Sequence, residues 1–344
     1  MHKKQPIAAL GRFGCRLCAA EADTLARGLQ RDFEREPITM VKVFIDGSAG
    51  TTGLRIADRL AGRADLSILT LTGDARKDPK ARKEALFESD IAFLCLPDAA
   101  AVEAVALSEG SKVRIIDTST AHRTNDAWAY GFAELSAAHR AAIENSSRVA
   151  NPGCHASGFI ASVCPLVAKG VIDKNFPLTA YSLTGYSGGG KSLIAEYEDC
   201  NRDPRHESHR IYGLPLQHKH LPEMQKLCGL SQPPVFSPIL GDFYEGMATS
   251  VLLPGFDAKR IWEALAEHYE AQRIVSVAPL GGDESVIYAS TLANKDTMRL
   301  IVTGHEKQTM VTALFDNLGK GASGAAIQNM TIMLGLDETT GLNL

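Results

Sequence analysis

Val41-Lys42-Val43-Phe44-Ile45-Asp46-Gly47-Ser48-Ala49-Gly50-Thr51-Thr52-Gly53 is the stretch that decides the fold. It opens as a β-branched, apolar run of the kind that makes a buried strand. Glycines at 47, 50 and 53 follow, and Leu54 to Leu60 continues with helical spacing. A strand, a glycine loop and a helix in that order meet the needs of a dinucleotide site. The turn is tight, the backbone approaches a pyrophosphate, and the helix packs close on the strand. An ordinary β–α turn shares the glycines, so the flanking strand and helix carry the reading. Gly47, Ser48, Ala49, Gly50, Thr51, Thr52 and Gly53 are therefore candidate cofactor contacts.

Further along, Leu66 to Leu71 predicts a second strand, followed by Thr72-Gly73-Asp74-Ala75-Arg76-Lys77. An NAD site wants a carboxylate at the end of this strand for the ribose hydroxyl. Thr72 stands there instead, with Arg76 close behind, a pairing that suits a 2′-phosphate and favours NADP(H), although Asp74 pulls the other way. Asp90 to Pro97 predicts another strand, Ala99 to Glu109 a helix, and Val113 to Asp117 a further strand. Such alternation predicts a doubly wound parallel sheet of the Rossmann type. Ligands of these sheets lie at the carboxyl ends of the strands, which marks Pro97, Ser119 and Arg123 as candidates.

A second centre is Val149-Ala150-Asn151-Pro152-Gly153-Cys154-His155-Ala156-Ser157-Gly158, with a largely helix-compatible run from Phe159 to Lys169 that Pro165 is expected to kink. A cysteine at a helix N-terminus meets free N–H groups and a positive dipole end, which favour the nucleophilic thiolate. A small buried hydrophobe is the bland alternative for Cys154.

The 344 residues allow two domains, and 45% hydrophobic with 22% charged residues is an ordinary globular balance. A net charge of -4 without basic runs argues against a nucleic-acid partner. No apolar stretch approaches the roughly 20 residues of a membrane span. Seven scattered cysteines without a signal peptide point to free thiols in a reducing, cytoplasmic setting. Cys15-x-x-Cys18 lacks a second ligand pair for zinc. Residues 1–39 mix acids and bases, with a helix expected over Leu17–Arg35, and form an extension of unknown role.

After Cys154 the rhythm changes. Leu178–Thr184, Val235–Ile239, Met247–Leu253, Val286–Ala289 and Leu300–Thr303 predict strands, and Ala258–Tyr269 a helix. They imply an α+β substrate domain with a mixed or antiparallel sheet. Two polar loops interrupt it: Gly185 to Lys191, and His206 to Glu223 with His206, His209, His218 and His220. His218-x-His220 would place two rings on one face of a strand, but Glu223 alone does not complete a metal ligand set. One histidine acting as acid/base partner to Cys154 is the favoured reading. The Gly- and Ala-rich run from Asp316 to Leu336 predicts a closing helix that returns to the nucleotide domain.

These motifs resemble the N-acetyl-γ-glutamyl-phosphate reductases of short bacterial type, relatives of aspartate-semialdehyde and glyceraldehyde-3-phosphate dehydrogenases. The resemblance rests on Gly47–Gly53, Ile116–Arg123, Tyr130–Leu135, Asn151–Cys154, Ser187–Lys191, His218–Glu223 and Asn317–Asn329, in the family's order. It implies that Cys154 is the acylated nucleophile and that His220, or secondarily His218, is the acid/base. It implies substrate contacts from Arg123, Ser187, Arg210, Tyr212 and His218, and cofactor contacts from Gly188, Asn317 and Lys320. A homo-oligomer, dimer or tetramer, is also implied. The chain departs from the pattern at His155, Glu245 and Ala325.

The expected domains are 40–153, completed by 317–344, and 154–316. Three rivals to the reductase reading are a sister acyl-phosphate reductase, a Cys-His hydrolase, and a non-catalytic dinucleotide sensor.

Overall fold

The computed structural model describes residues 40–282 and 285–344; the segment 1–39, with its expected helix and the Cys15/Cys18 pair, lies outside the described residues. The opening apolar run is β1 (Val41–Asp46), with Val43, Phe44 and Ile45 buried. Around it β2 (Leu66–Leu69), β3 (Ile91–Leu94), β4 (Arg114–Asp117), β5 (Ala129–Tyr130) and β6 (Arg148–Ala150) form a sheet in the order β2-β1-β3-β4-β6-β5, every pair parallel.

Helices cover both faces, as parallel sheets require. On one face Ile56 and Leu60 of α1 (Thr51–Leu60) bury against Val43 and Ile45. On the other, α2 (Pro79–Glu88) and α3 (Asp98–Leu107) bury Leu86 and Ala101 against Phe44 and Leu94. A shorter α4 (Ala137–Asn145) contributes Ile143 to the first face. The register places Asp46 beside Leu94, Leu94 beside Asp117, and Asp117 beside Ala150. The loops after these four strands, including the glycine loop and Asn151–Cys154, therefore leave the sheet along one edge.

The helix expected after the cysteine begins at Cys154 itself: α5 (Cys154–Ala168) is buried along most of its length. Pro165 lies inside it and does not end it. The carbonyl that Pro165 cannot bond, Ala161 O, accepts the Tyr269 hydroxyl at 2.9 Å. Gly158 lets α5 approach a second sheet: a Cβ there would lie 2.6 Å from Thr249 Cβ.

That second sheet has β7 (Thr179–Gly185), β8 (Arg210–Ile211), β9 (Val235–Gly241), β10 (Met247–Pro254), β11 (Val275–Val277), β12 (Met298–His305) and β13 (Gln308–Phe315), in the order β11-β12-β13-β10-β7-β9-β8. It is mixed, because β7 with β9 and β11 with β12 run parallel while the other neighbours are antiparallel. Short helices α6 (Gly190–Glu198) and α7 (Leu221–Leu227) and the longer α8 (Ala258–Tyr269) complete this half.

The strand expected at Val286–Ala289 is absent. Ile287 and Ala289 instead cover the outer face of the sheet, packed with Leu183, Ala248, Ile301 and Leu314. After β13, a wide π-type turn at Gly319–Ser323 leads to α9 (Gly324–Met333), where Ile327 and Met330 bury against the first sheet's Val43 and Ile45.

Candidate active site

Cys154 is the first residue of α5, where the helix leaves backbone N–H groups without intrahelical partners. The Gly153 N–H just before it donates to Glu223 Oε2 at 3.2 Å. The same oxygen accepts the Tyr130 hydroxyl at 2.9 Å, and Oε1 accepts Arg123 Nη1 at 2.9 Å. Arg123 spends its other nitrogens on the Asn151 carbonyl (Nε, 2.9 Å) and the Thr118 carbonyl (Nη2, 3.0 Å). Three elements are thus knotted beneath the thiol. Glu223 lies three residues after His220, so anchoring one anchors the other: a Cβ on Gly153 would lie 2.7 Å from His220 Cε1.

Two cavities adjoin there. The larger, about 540 Å³, has Cys154, His155, His218, His220, Arg210 and Tyr212 in its walls, along with Asn317. The smaller, about 280 Å³, is walled by Gly50 to Gly53, Pro97, Ser119 and Ser187. They share Thr52, Thr118, Arg123, Gly188, Lys219 and Leu318. Gly47 sits behind the smaller cavity at φ +85°, and a Cβ there would lie 2.2 Å from the Cys95 carbonyl. No other residue fits that turn.

Burial pushes the Cys154 thiol upward, against the pull of Arg123 and the His155 backbone N–H. Burial, then Arg123, pushes His220 well below the ordinary histidine range. The unliganded pair is therefore a neutral thiol beside a neutral imidazole. This corrects the expectation of a thiolate held by the helix N-terminus, since desolvation outweighs that field. His220 Nδ1 is buried without a hydrogen-bond partner.

His218 Nδ1 accepts the His220 backbone N–H at 3.2 Å, and burial lowers His218 to about 4. The two rings meet edge to face, with centroids 4.7 Å apart, in a turn and not on a strand.

Residues 42–144 match the semialdehyde dehydrogenase NAD-binding domain, and residues 154–317 match the semialdehyde dehydrogenase dimerisation domain. The N-acetyl-γ-glutamyl-phosphate reductase of Sinorhizobium fredii is 48% identical over 303 residues, 85% of this chain and 98% of its own. N-acetyl-γ-glutamyl-phosphate reductase 2 of a Nostoc species is 43% identical over 318 residues, 88% of this chain and 99% of its own. The chain belongs to the N-acetyl-γ-glutamyl-phosphate reductase family. Among solved structures, aspartate semialdehyde dehydrogenase II of Vibrio cholerae shares the fold, with a TM-score of 0.68 at 16% identity over 86% of this chain and 98% of its own.

Within this reductase-family chain, some anticipated residues stand away from the cavities. Lys320 is 1% exposed, its ammonium held at 2.7 Å by both Glu134 Oε1 and Gln328 Oε1. It clamps the closing segment to Glu134 and reaches neither cavity. Gly47, Ser48 and Ala49 shape the loop without walling it. Thr72 and Arg76 lie beyond β2, outside both sets of walls, and Arg76 Nε bonds Gly73 O at 3.3 Å. Arg210 leans on Glu196 at 3.0 Å. Ser187 Oγ accepts Asn317 Nδ2 at 3.0 Å, which ties the two polar segments.

Glu245, where the family pattern has an arginine, pairs with Arg55 of α1 and so braces the glycine-loop helix. Sequence reasoning missed Lys219 on the shared wall. Its position between two site histidines was the available signal. It also passed over His155 as an active participant.

Proposed function

We propose that this chain reduces N-acetyl-γ-glutamyl phosphate with NADPH to N-acetylglutamate 5-semialdehyde and phosphate, a step of arginine biosynthesis, through a thioacyl-enzyme on Cys154. The observation that carries the reading is Cys154 and His220 together in one cavity wall, beside a glycine-loop cavity that shares six residues with it. As substrate fills the cavity, His220 takes the Cys154 proton and the sulfur attacks the acyl carbon. The carbon–oxygen bond to phosphate breaks, and phosphate leaves with the electron pair. Backbone N–H groups at the start of α5, that of Cys154 included, face the developing oxyanion.

The fit of a dinucleotide rests on the Gly50–Gly53 loop, the Gly47 turn and the Pro97 and Ser119 walls; once bound there, NADPH supplies the hydride that the thioester carbon accepts. His220 protonates the adduct oxygen. Collapse of the hemithioacetal returns that proton, releases the aldehyde and restores the Cys154 thiol. Such proton transfer is typically worth about 10²–10⁴-fold in rate.

Thr72 and Arg76 support NADP over NAD. We assign 40–153 with 317–344 to the cofactor, 154–316 to the substrate, and the assembly to a cytoplasmic homo-oligomer joined through the dimerisation domain. Among the described residues no helix is long and apolar enough to cross a membrane.

The test is absorbance of reduced nicotinamide in the reverse direction. N-acetylglutamate semialdehyde, NADP and phosphate should give NADPH, with aspartate semialdehyde and NAD as poor replacements. Equal turnover of aspartate semialdehyde would refute the acyl assignment.

A further inference from the structure

Behind the larger cavity, four polar side chains form a line that ends in its wall. Thr249 Oγ1 lies 2.8 Å from Ser182 Oγ, which lies 2.8 Å from His155 Nδ1. On the other side of the ring, His155 Nε2 lies 2.8 Å from the Tyr212 hydroxyl, which is in the cavity wall. Thr249, Ser182 and His155 are 0%, 0% and 3% exposed, so solvent cannot satisfy their protons.

Their directions follow from donor and acceptor counting. Among the described residues the Thr249 hydroxyl has no hydrogen-bond partner but Ser182. If Ser182 donated to Thr249, the Thr249 proton would be buried without an acceptor, at the full desolvation cost. Thr249 therefore donates to Ser182, and Ser182 donates to His155 Nδ1. A neutral imidazole accepting at Nδ1 carries its proton on Nε2, so it donates to the Tyr212 oxygen. Burial, with the charges of His218 and Lys219, lowers His155 to about 3 and keeps the ring neutral. Burial also raises Tyr212 well above the ordinary tyrosine range, so its own proton stays on. With its oxygen already accepting from His155, that proton has only the cavity to point into.

We propose that Thr249, Ser182 and His155 are positioning residues that fix Tyr212 as a one-way hydrogen-bond donor to an oxygen of the acyl substrate. The inference rests on the acyl-phosphate reading for the substrate's identity, and on geometry alone for the direction of the chain. It gives His155, a departure from the family pattern, a definite task. It also sets a selection rule: at the Tyr212 position a group with an accepting oxygen, such as a carbonyl or carboxylate, is favoured, and a group that can only donate, such as an amide N–H, is not.

The first test uses the unliganded, unaltered protein. Nitrogen-15 NMR of the His155 ring, assigned by the signals that are missing from a His155→Phe protein, should show a protonated Nε2 and an unprotonated Nδ1. A protonated Nδ1 would overturn the chain whatever the substrate is. The second test is kinetic. Tyr212→Phe should raise KM for the acyl substrate roughly tenfold, the scale of one lost hydrogen bond, with kcat and NADPH affinity nearly unchanged.

Thr249→Val should raise KM in the same direction and release the tautomer, whereas Thr249→Ser should restore both. If Thr249→Val does not fold, Ser182→Ala is read the same way. A fall in kcat at constant KM, or a Thr249→Val protein with unaltered KM and tautomer, would contradict the proposal. Absence of wild-type turnover alongside the expected tautomer would count against the acyl-phosphate reading and leave the hydrogen-bond chain standing.

Discussion

Gly153→Ala is a severe test of how the site is assembled. Gly153 has φ −77° and ψ 144°, a conformation alanine adopts freely, so backbone strain contributes nothing. The added methyl would instead lie 2.4 Å from Arg123 Nη1, 2.5 Å from Glu223 Oε1 and 2.7 Å from His220 Cε1. Arg123 and Glu223 are locked to each other and to the backbone, so the His220 ring is the neighbour with most room to yield. Overpacking of this kind costs about 1–3 kcal/mol of stability. Displacing an acid/base group by an ångström costs on the order of 10²-fold in turnover. The expected protein is folded, slightly less stable to urea, and about a hundredfold slower in NADPH formation, with NADP binding retained. A variant with wild-type kcat would show that His220 does not depend on the space Gly153 leaves, and the proposed assembly would be wrong.

Other outcomes follow from the same geometry. Glu223→Gln uncouples the buried Arg123 charge, and urea unfolding should report a loss approaching the 3–5 kcal/mol (about) typical of a broken buried pair; an unchanged midpoint would contradict the role of Glu223 as anchor. Lys219→Ala removes a cation from the wall shared by both cavities, and in the reverse assay KM for phosphate should rise roughly tenfold while NADP affinity holds. Because burial raises the Cys154 thiol, its alkylation by iodoacetamide should be slow at neutral pH and rise to a midpoint above the roughly 8.5 of a free cysteine. A midpoint below that value would restore the helix-stabilised thiolate.

The parallel sheet was legible because its signals are local. Val41–Ile45 and the three glycines carry strand, turn and helix within a few residues, and the structure places them so. Cys154 and His220 were legible through short motifs at fixed spacing. Burial was not, and it opposes the thiolate expected at Cys154 while keeping the His220 ring neutral. The misread strand at Val286–Ala289 shows why: its apolar residues cover a sheet face without pairing at an edge.

β8 and β11, two and three residues long at the two edges of the second sheet, were not anticipated, because such short strands carry too little local pattern; β13 was not anticipated either, although it is an interior strand hairpinned to β12. Lys320 was misplaced because Glu134, which neutralises it, lies 186 residues away. The hydroxyl line through Thr249, Ser182 and His155 crosses three elements and has no sequence signature.

The central claim is a covalent acyl group on Cys154. The most direct measurement mixes protein, N-acetylglutamate semialdehyde and NADP without phosphate, and follows reduced nicotinamide together with the intact protein mass. The account predicts a burst of one NADPH per chain, an N-acetylglutamyl adduct on Cys154, release of that adduct on adding phosphate, and none of these in Cys154→Ala. NADPH formation that waits for phosphate, with no adduct at any time, would contradict it.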